Sequence, residues 1–185
     1  TWEWDGNVWR RVSTTGPSAR YLHSMAFDEA RGVTVLAGGY DGGHPGDLWE
    51  WNGRTWVRRD ADGPTPRRMH ALAYDTATNM TVMFGGIDAD ENALNDTWGW
   101  DGDRWVQLAT EGPEPRYHHA MVYDDARGAL VLFGGTVEGN SVGDTWRFAD
   151  CVDHDEDGVF DHLDECLSSD LQKTVKVGDC ETGVS

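Results

Sequence analysis

Between Asp153 and Asp164 the chain places five aspartates, Asp153, Asp155, Asp157, Asp161 and Asp164, around a central Gly158. Carboxylates at alternate positions converge on one point when a loop curls back on itself, and a glycine allows the sharp turn this needs. Calcium takes about 6–8 oxygen ligands. Asp153, Asp155 and Asp157 would supply side-chain oxygens and Val159 its backbone carbonyl. Asp161 would bind directly or through water, and Asp164 would close the loop. Binding of Ca2+ is therefore the expected chemistry. The plain alternative is a solvated acidic run or a disordered tail. Such a run gives no reason for Gly158, Phe160 and Leu163 to stand where a metal loop needs them.

Charge and cysteine single out the same stretch. Asp150 to Ser185 hold 11 acidic and 2 basic residues, half of the formal charge of −18 in a fifth of the chain. That balance argues against nucleic acid, which needs clustered Lys and Arg. All three cysteines, Cys151, Cys166 and Cys180, lie in this tail. A small segment without a core relies on disulfides and metal, which implies an oxidising compartment. Closure of a loop by Cys166 and Cys180 would contribute about 3 kcal/mol; Cys151 is then left over, and the other pairings stay open. No apolar run approaches the ~18 residues of a membrane span.

The remaining chain is organised by a repeat. Gly16-Pro17-Ser18-Ala19-Arg20-Tyr21-Leu22-His23 returns as Gly63-Pro64-Thr65-Pro66-Arg67-Arg68-Met69-His70 and as Gly112-Pro113-Glu114-Pro115-Arg116-Tyr117-His118-His119, at offsets of 47 and 49 residues. The doublets Gly38-Gly39, Gly85-Gly86 and Gly134-Gly135 keep the same step, and all ten tryptophans fall into one register. In the second copy Arg68 to Tyr74 and Met80 to Phe84 read as strands. The doublet follows, then a polar loop, Ile87 to Asn95. Asp96 to Trp100 and Trp105 to Leu108 complete a set of four strands, joined by an Asp101-Gly102 turn. Four strands per period is the unit of a propeller blade.

Arg-x-x-His, an apolar strand ending in Gly-Gly and a Trp-Asp-Gly-x-x-Trp hairpin resemble the kelch repeat. The Asp-Thr-Trp variant is similar to bacterial kelch-like proteins and, more distantly, to the propeller of galactose oxidase. The resemblance covers Thr1 to Ala149 and implies an all-β fold, a partial propeller of about three four-stranded blades. Trp2 to Trp4 and Val8 to Val12 would be the outer strands of a preceding blade. The last blade is expected to end after its third strand, at Phe148, with an open edge. That edge would be capped by the acidic tail, by Val8 to Val12 of another copy, or by a strand upstream of Thr1. Such an arc leaves two blade faces exposed, to be covered by missing blades or another copy. The aspartate loop is similar to an EF-hand loop with Asp164 in place of the usual Glu. Together with Cys166 it resembles a thrombospondin type 3 repeat, which makes residues 150–185 a small irregular segment stabilised by calcium and disulfides.

His23, His70 and His119 recur once per blade, so they are expected to be structural, hydrogen-bonding a neighbouring blade rather than ligating metal. His44 and His118 escape the repeat but have no partners that mark them as ligands. The Cys–Tyr chemistry of galactose oxidase finds no cysteine in the repeats. No catalytic constellation is legible, and an enzyme is not expected here. The loops Tyr40 to Gly46, Ile87 to Asn95 and Thr136 to Gly143 vary while their strands do not, and resemblance to kelch propellers makes them the partner-binding face. The expected function is an extracellular or cell-surface recognition module for a protein or glycan, with the tail as connector. The competing expectations are the scaffold of a secreted enzyme and a structural spacer.

Overall fold

The computed structural model describes residues 1–149 and 174–176. The expected calcium ligands Asp153, Asp155, Asp157, Val159, Asp161 and Asp164, and the three cysteines, lie outside the described residues. The described chain is all-β, one two-stranded sheet and three four-stranded sheets. The two-stranded sheet pairs β1 (Trp2–Trp4) with β2 (Trp9–Arg11). The first full sheet runs β3 (Ser24–Asp28), β4 (Val33–Ala37), β5 (Leu48–Trp51), β6 (Trp56–Arg59), and the second β7 (Ala71–Asp75), β8 (Met80–Phe84), β9 (Thr97–Trp100), β10 (Trp105–Ala109). The third comprises β11 (Ala120–Asp124), β12 (Ala129–Val137), β13 (Asn140–Ala149) and β14 (Thr174–Lys176). No described residue forms a helix long and apolar enough to cross a membrane.

Local chemistry explains these elements. Met80–Phe84 is an apolar run because four of its five residues are buried, as both faces of an inner strand must be. The outer hairpins turn on Asp or Asn followed by Gly: Asp101 Oδ1 accepts from the Asp103 and Arg104 amides at 2.8 and 2.9 Å, and Asn52 does the same for Arg54 and Thr55. The first strand of the second sheet begins three residues later than its pattern predicts. Met69 takes a left-handed φ of 59°, which no strand accommodates, so Arg68 forms only an isolated bridge to Ile87.

The sheets meet through their first strands, β3 against β7 and β7 against β11, which sets these strands along the axis. Val35, Ala37 and Leu48 of the first full sheet are buried against Leu72, Met83 and Trp100 of the second. Ala73, Val82 and Phe84 on the other side of the second sheet meet Leu130, Leu132 and Trp146 of the third. Each interface thus joins two unlike sheet faces, as in successive propeller blades. The doublet glycines make the close approach that this stacking needs. Gly38 has a φ of 59°, a Cβ there would lie 2.4 Å from the Arg67 carbonyl oxygen of the next blade, and the Gly39 amide donates to that oxygen at 3.0 Å. At both ends of the arc the faces are open: Phe27 is 55% exposed and Phe133 57%.

Two expectations about the last blade are corrected. Thr136 to Gly143 is no loop: β12 and β13 continue as a hairpin in which Thr136 pairs with Ser141 and Val137 with Asn140. Gly139, with a φ of 80°, makes the turn. The blade does not end with three strands either, because β14 from the tail pairs with Arg147 to Ala149 of β13. Of the three caps expected for this edge, the acidic tail supplies it. The pairing is parallel, whereas the fourth strands of the other blades are antiparallel.

Candidate recognition face

At the loop end of the axis, the residue before each left-handed turn is bridged to the residue after the glycine doublet: Tyr21 to Tyr40, Arg68 to Ile87 and Tyr117 to Thr136. Leu22, Met69 and His118 hold φ values of 57 to 59°. Their backbones join blade to blade, the Met69 amide donating to Leu22 oxygen at 2.9 Å and the His118 amide to Met69 oxygen at 3.0 Å. Because the strained conformation recurs in every copy, it is architecture, and it fixes the side chains beside it.

Those side chains form a connected cluster. The Tyr21 and Tyr40 rings meet edge to face at 5.5 Å, and Tyr40 meets the His44 ring at 5.4 Å. The Arg68 guanidinium lies over Tyr40 at 5.8 Å, contacts His44 Nε2, and donates to both Glu91 oxygens at 2.7 Å. Tyr117 and His118 stack at 5.3 Å. Tyr21 is 60% exposed, and Glu91 and His118 are also exposed. Two of the three variable loops, Tyr40 to Gly46 and Ile87 to Asn95, therefore supply Tyr40, His44 and Glu91 to one surface. Arg68 was not singled out by the sequence, although it stands where the other copies have Tyr21 and Tyr117, a departure that marks it.

Beneath this surface each blade carries the same clamp. Arg67 donates to Gly85 oxygen at 3.0 Å and to both oxygens of Asp96 at 2.5 and 2.8 Å, while Trp98 Nε1 donates to Asp96 at 2.7 Å. Arg20 with Asp47 and Trp49, and Arg116 with Asp144 and Trp146, repeat it. The hydrogen bond from Arg116, with that from Trp146, pulls the Asp144 carboxyl down to about 2. The Arg of the repeat was visible in the sequence; its Asp partner was missed, though it keeps the same period.

The repeated histidines are structural but not as expected. His70 and His119 are buried, and neither ring nitrogen of either makes a well-formed hydrogen bond. They act as packing: a Cβ on Gly38 would lie 2.9 Å from His70 Cε1, and one on Gly85 would lie 3.0 Å from His119 Cε1. Burial, reinforced by neighbouring arginines, pushes His70 down to about 3 and His119 to about 4. Among the described residues no group of three or more His, Cys, Asp or Glu side chains is placed to hold a metal.

The family model described as the KLHDC2/KLHL20/DRC7 Kelch-repeats domain matches residues 47–151, more than half of the chain. No curated protein matches it.

Proposed function

This chain belongs to the Kelch-repeats domain family, and on that premise we propose that it is a non-enzymatic protein-recognition module that binds its ligand through the Tyr40–Arg68 cluster. Membership of the family supports protein–protein interaction. The observation that carries the choice of surface is the joining of Tyr21, Tyr40, His44 and Arg68 at the loop end of a rigid scaffold. Tyrosine and arginine dominate binding hot spots, because each brings large contact area and polar reach at low entropic cost. Loops on fixed strands are where scaffolds place such sites.

We place this module outside the cell or at its surface, with residues 150–185 as a calcium-stabilised connector. The aspartate spacing and the confinement of all three cysteines to that segment support this reading. The test of the recognition surface is display selection of ligands against the whole chain, followed by affinity measurement on variants. Arg68→Ala should weaken a selected protein ligand by about thirtyfold. Arg104→Ala, in an exposed turn at the opposite end of the blade, should change it less than about twofold. Equal losses would move the site elsewhere, and a yield of glycan ligands alone would overturn the protein class.

A further inference from the structure

Beside the third blade the loop surface opens into a groove of about 690 Å³. Glu114 to Arg116 form one wall and the Val137–Asp144 hairpin the other. Three carboxylates, Glu114, Glu138 and Asp144, meet there against one guanidinium, Arg116. The Arg116 side chain is 0% exposed and is held by Asp144 at 2.8 Å and Glu114 at 3.1 Å. Its charge is spent within the protein. The Glu114 and Asp144 side chains remain 52% and 36% exposed, and Glu138 is exposed at the hairpin tip. Pro115, Val137 and Val142 supply the apolar part of the lining.

The groove is a departure of the third copy from the repeat. Glu114 stands where the other copies have Ser18 and Thr65, and the hairpin replaces the loops found in the other two. At the equivalent place between the first two full blades the surface is closed: Gly46 sits so near Pro66 that a Cβ on it would lie 2.8 Å from the ring. What recurs in every blade serves the fold, whereas a feature built in one blade alone is open to use.

We propose that this groove takes a Lys or Arg side chain from a basic, partly apolar segment of the ligand. The proposal rests on the recognition reading above and names the chemistry of its partner. Three carboxylates against one guanidinium leave two negative charges in a concave site, where low-dielectric walls concentrate the field on a cation. The aliphatic stem of Lys or Arg covers Val137 and Val142 while its head reaches Glu114 and Glu138.

The test is fluorescence anisotropy on the whole chain with a labelled peptide of about ten residues, Lys alternating with Leu and Ala, and its Glu-for-Lys counterpart. The Lys peptide should bind and the Glu peptide should not. Glu114→Gln with Glu138→Gln should weaken binding about tenfold. Glu29→Gln with Asp103→Asn, which removes the same charge from exposed turns outside the groove, should weaken it less than about twofold. Glu138→Gln alone, on an exposed side chain, covers the case in which the double variant misfolds; it should weaken binding several-fold, and unchanged binding counts against the groove. No binding of the Lys peptide overturns the proposal, as do equal losses in the two double variants, which would mean diffuse attraction to the acidic chain. A selected protein ligand that responds to Arg68→Ala but not to the groove variants would remove the groove and leave the recognition face standing. The reverse pattern would remove the Tyr40–Arg68 cluster instead.

Discussion

Trp100 Nε1 donates a 2.9 Å hydrogen bond to Glu50 Oε1 across the interface between the first two full blades. Glu50 is 2% exposed and also accepts from Arg31 and Arg59. Burial alone would raise its carboxyl, but the bonds from Arg31, Trp100 and Arg59 outweigh this and hold it below the ordinary range. One period earlier Trp51 Nε1 donates to Glu3 at 2.8 Å in the same manner. One period later the pair is replaced at both ends, by Gly99 and Phe148, so donor and acceptor vanish together and neither is stranded.

That joint replacement predicts coupling. Trp100→Phe strands a buried carboxylate, and Glu50→Gly strands an indole N–H. The double variant should be less destabilised than the sum of the two by more than about 1 kcal/mol. Urea unfolding of the four proteins measures it, and simple additivity would mean that the contact contributes nothing specific.

The clamp under the recognition face should be intolerant of change. Arg67 is 1% exposed and its partner Asp96 21%, so Arg67→Ala should cost about 3–5 kcal/mol. Arg67→Lys should recover little of that loss, because an ammonium cannot reproduce the fork that spans Asp96 and Gly85 oxygen. Full rescue by Lys would reduce the clamp to a charge effect.

Stability should fall with acid through the histidines. His70 and His119 have folded values of about 3 and about 4, below an ordinary 6.5. As pH drops below 6.5 the unfolded chain takes up protons that the folded one refuses, so stability declines steadily until the folded values are reached. Asp144, held at about 2 by Arg116, adds its own loss only at lower pH, as it protonates from the ordinary carboxylate range downward. Thermal melts from pH 7 to pH 4 should show the first decline, and His70→Asn should reduce it. A flat profile over that range would contradict the burial of these rings.

Most of the fold was legible because its repeat is strict. Met80–Phe84, the Asp101-Gly102 turn and the outer strand at Trp2–Trp4 fall where periodicity and turn chemistry put them. What escaped was long-range or particular to one copy. Nothing local to Asp96 announces Arg67, twenty-nine residues earlier. The Thr136 to Gly143 segment is polar enough for a loop, yet Gly139 lets it fold back and extend the ladder. The histidines were placed correctly by their recurrence, but periodicity cannot distinguish a ring that packs on glycine from one that hydrogen-bonds. Tyr40, His44 and Arg68 come from two repeats, and only the stacking of blades brings them together.

Calcium at the aspartate loop is expected to bind residues 150–185 of the whole chain. Asp157→Ala should weaken binding strongly, whereas Glu156→Ala should leave it nearly unchanged, since alternate positions converge on the ion. Magnesium should substitute badly because it demands a smaller octahedron. Titration calorimetry decides it: no calcium heat below millimolar concentration, or equal effects of the two substitutions, would remove the site.

The recognition face is tested most directly by hydrogen exchange on the chain with and without a selected protein ligand. Binding should slow exchange at the amides of residues 40–46, 87–95 and 117–118, which lie at the loop end, and leave the Asp101–Arg104 turn at the opposite end unchanged. Protection confined to that turn, or to the open faces around Phe27 and Phe133, would contradict the account.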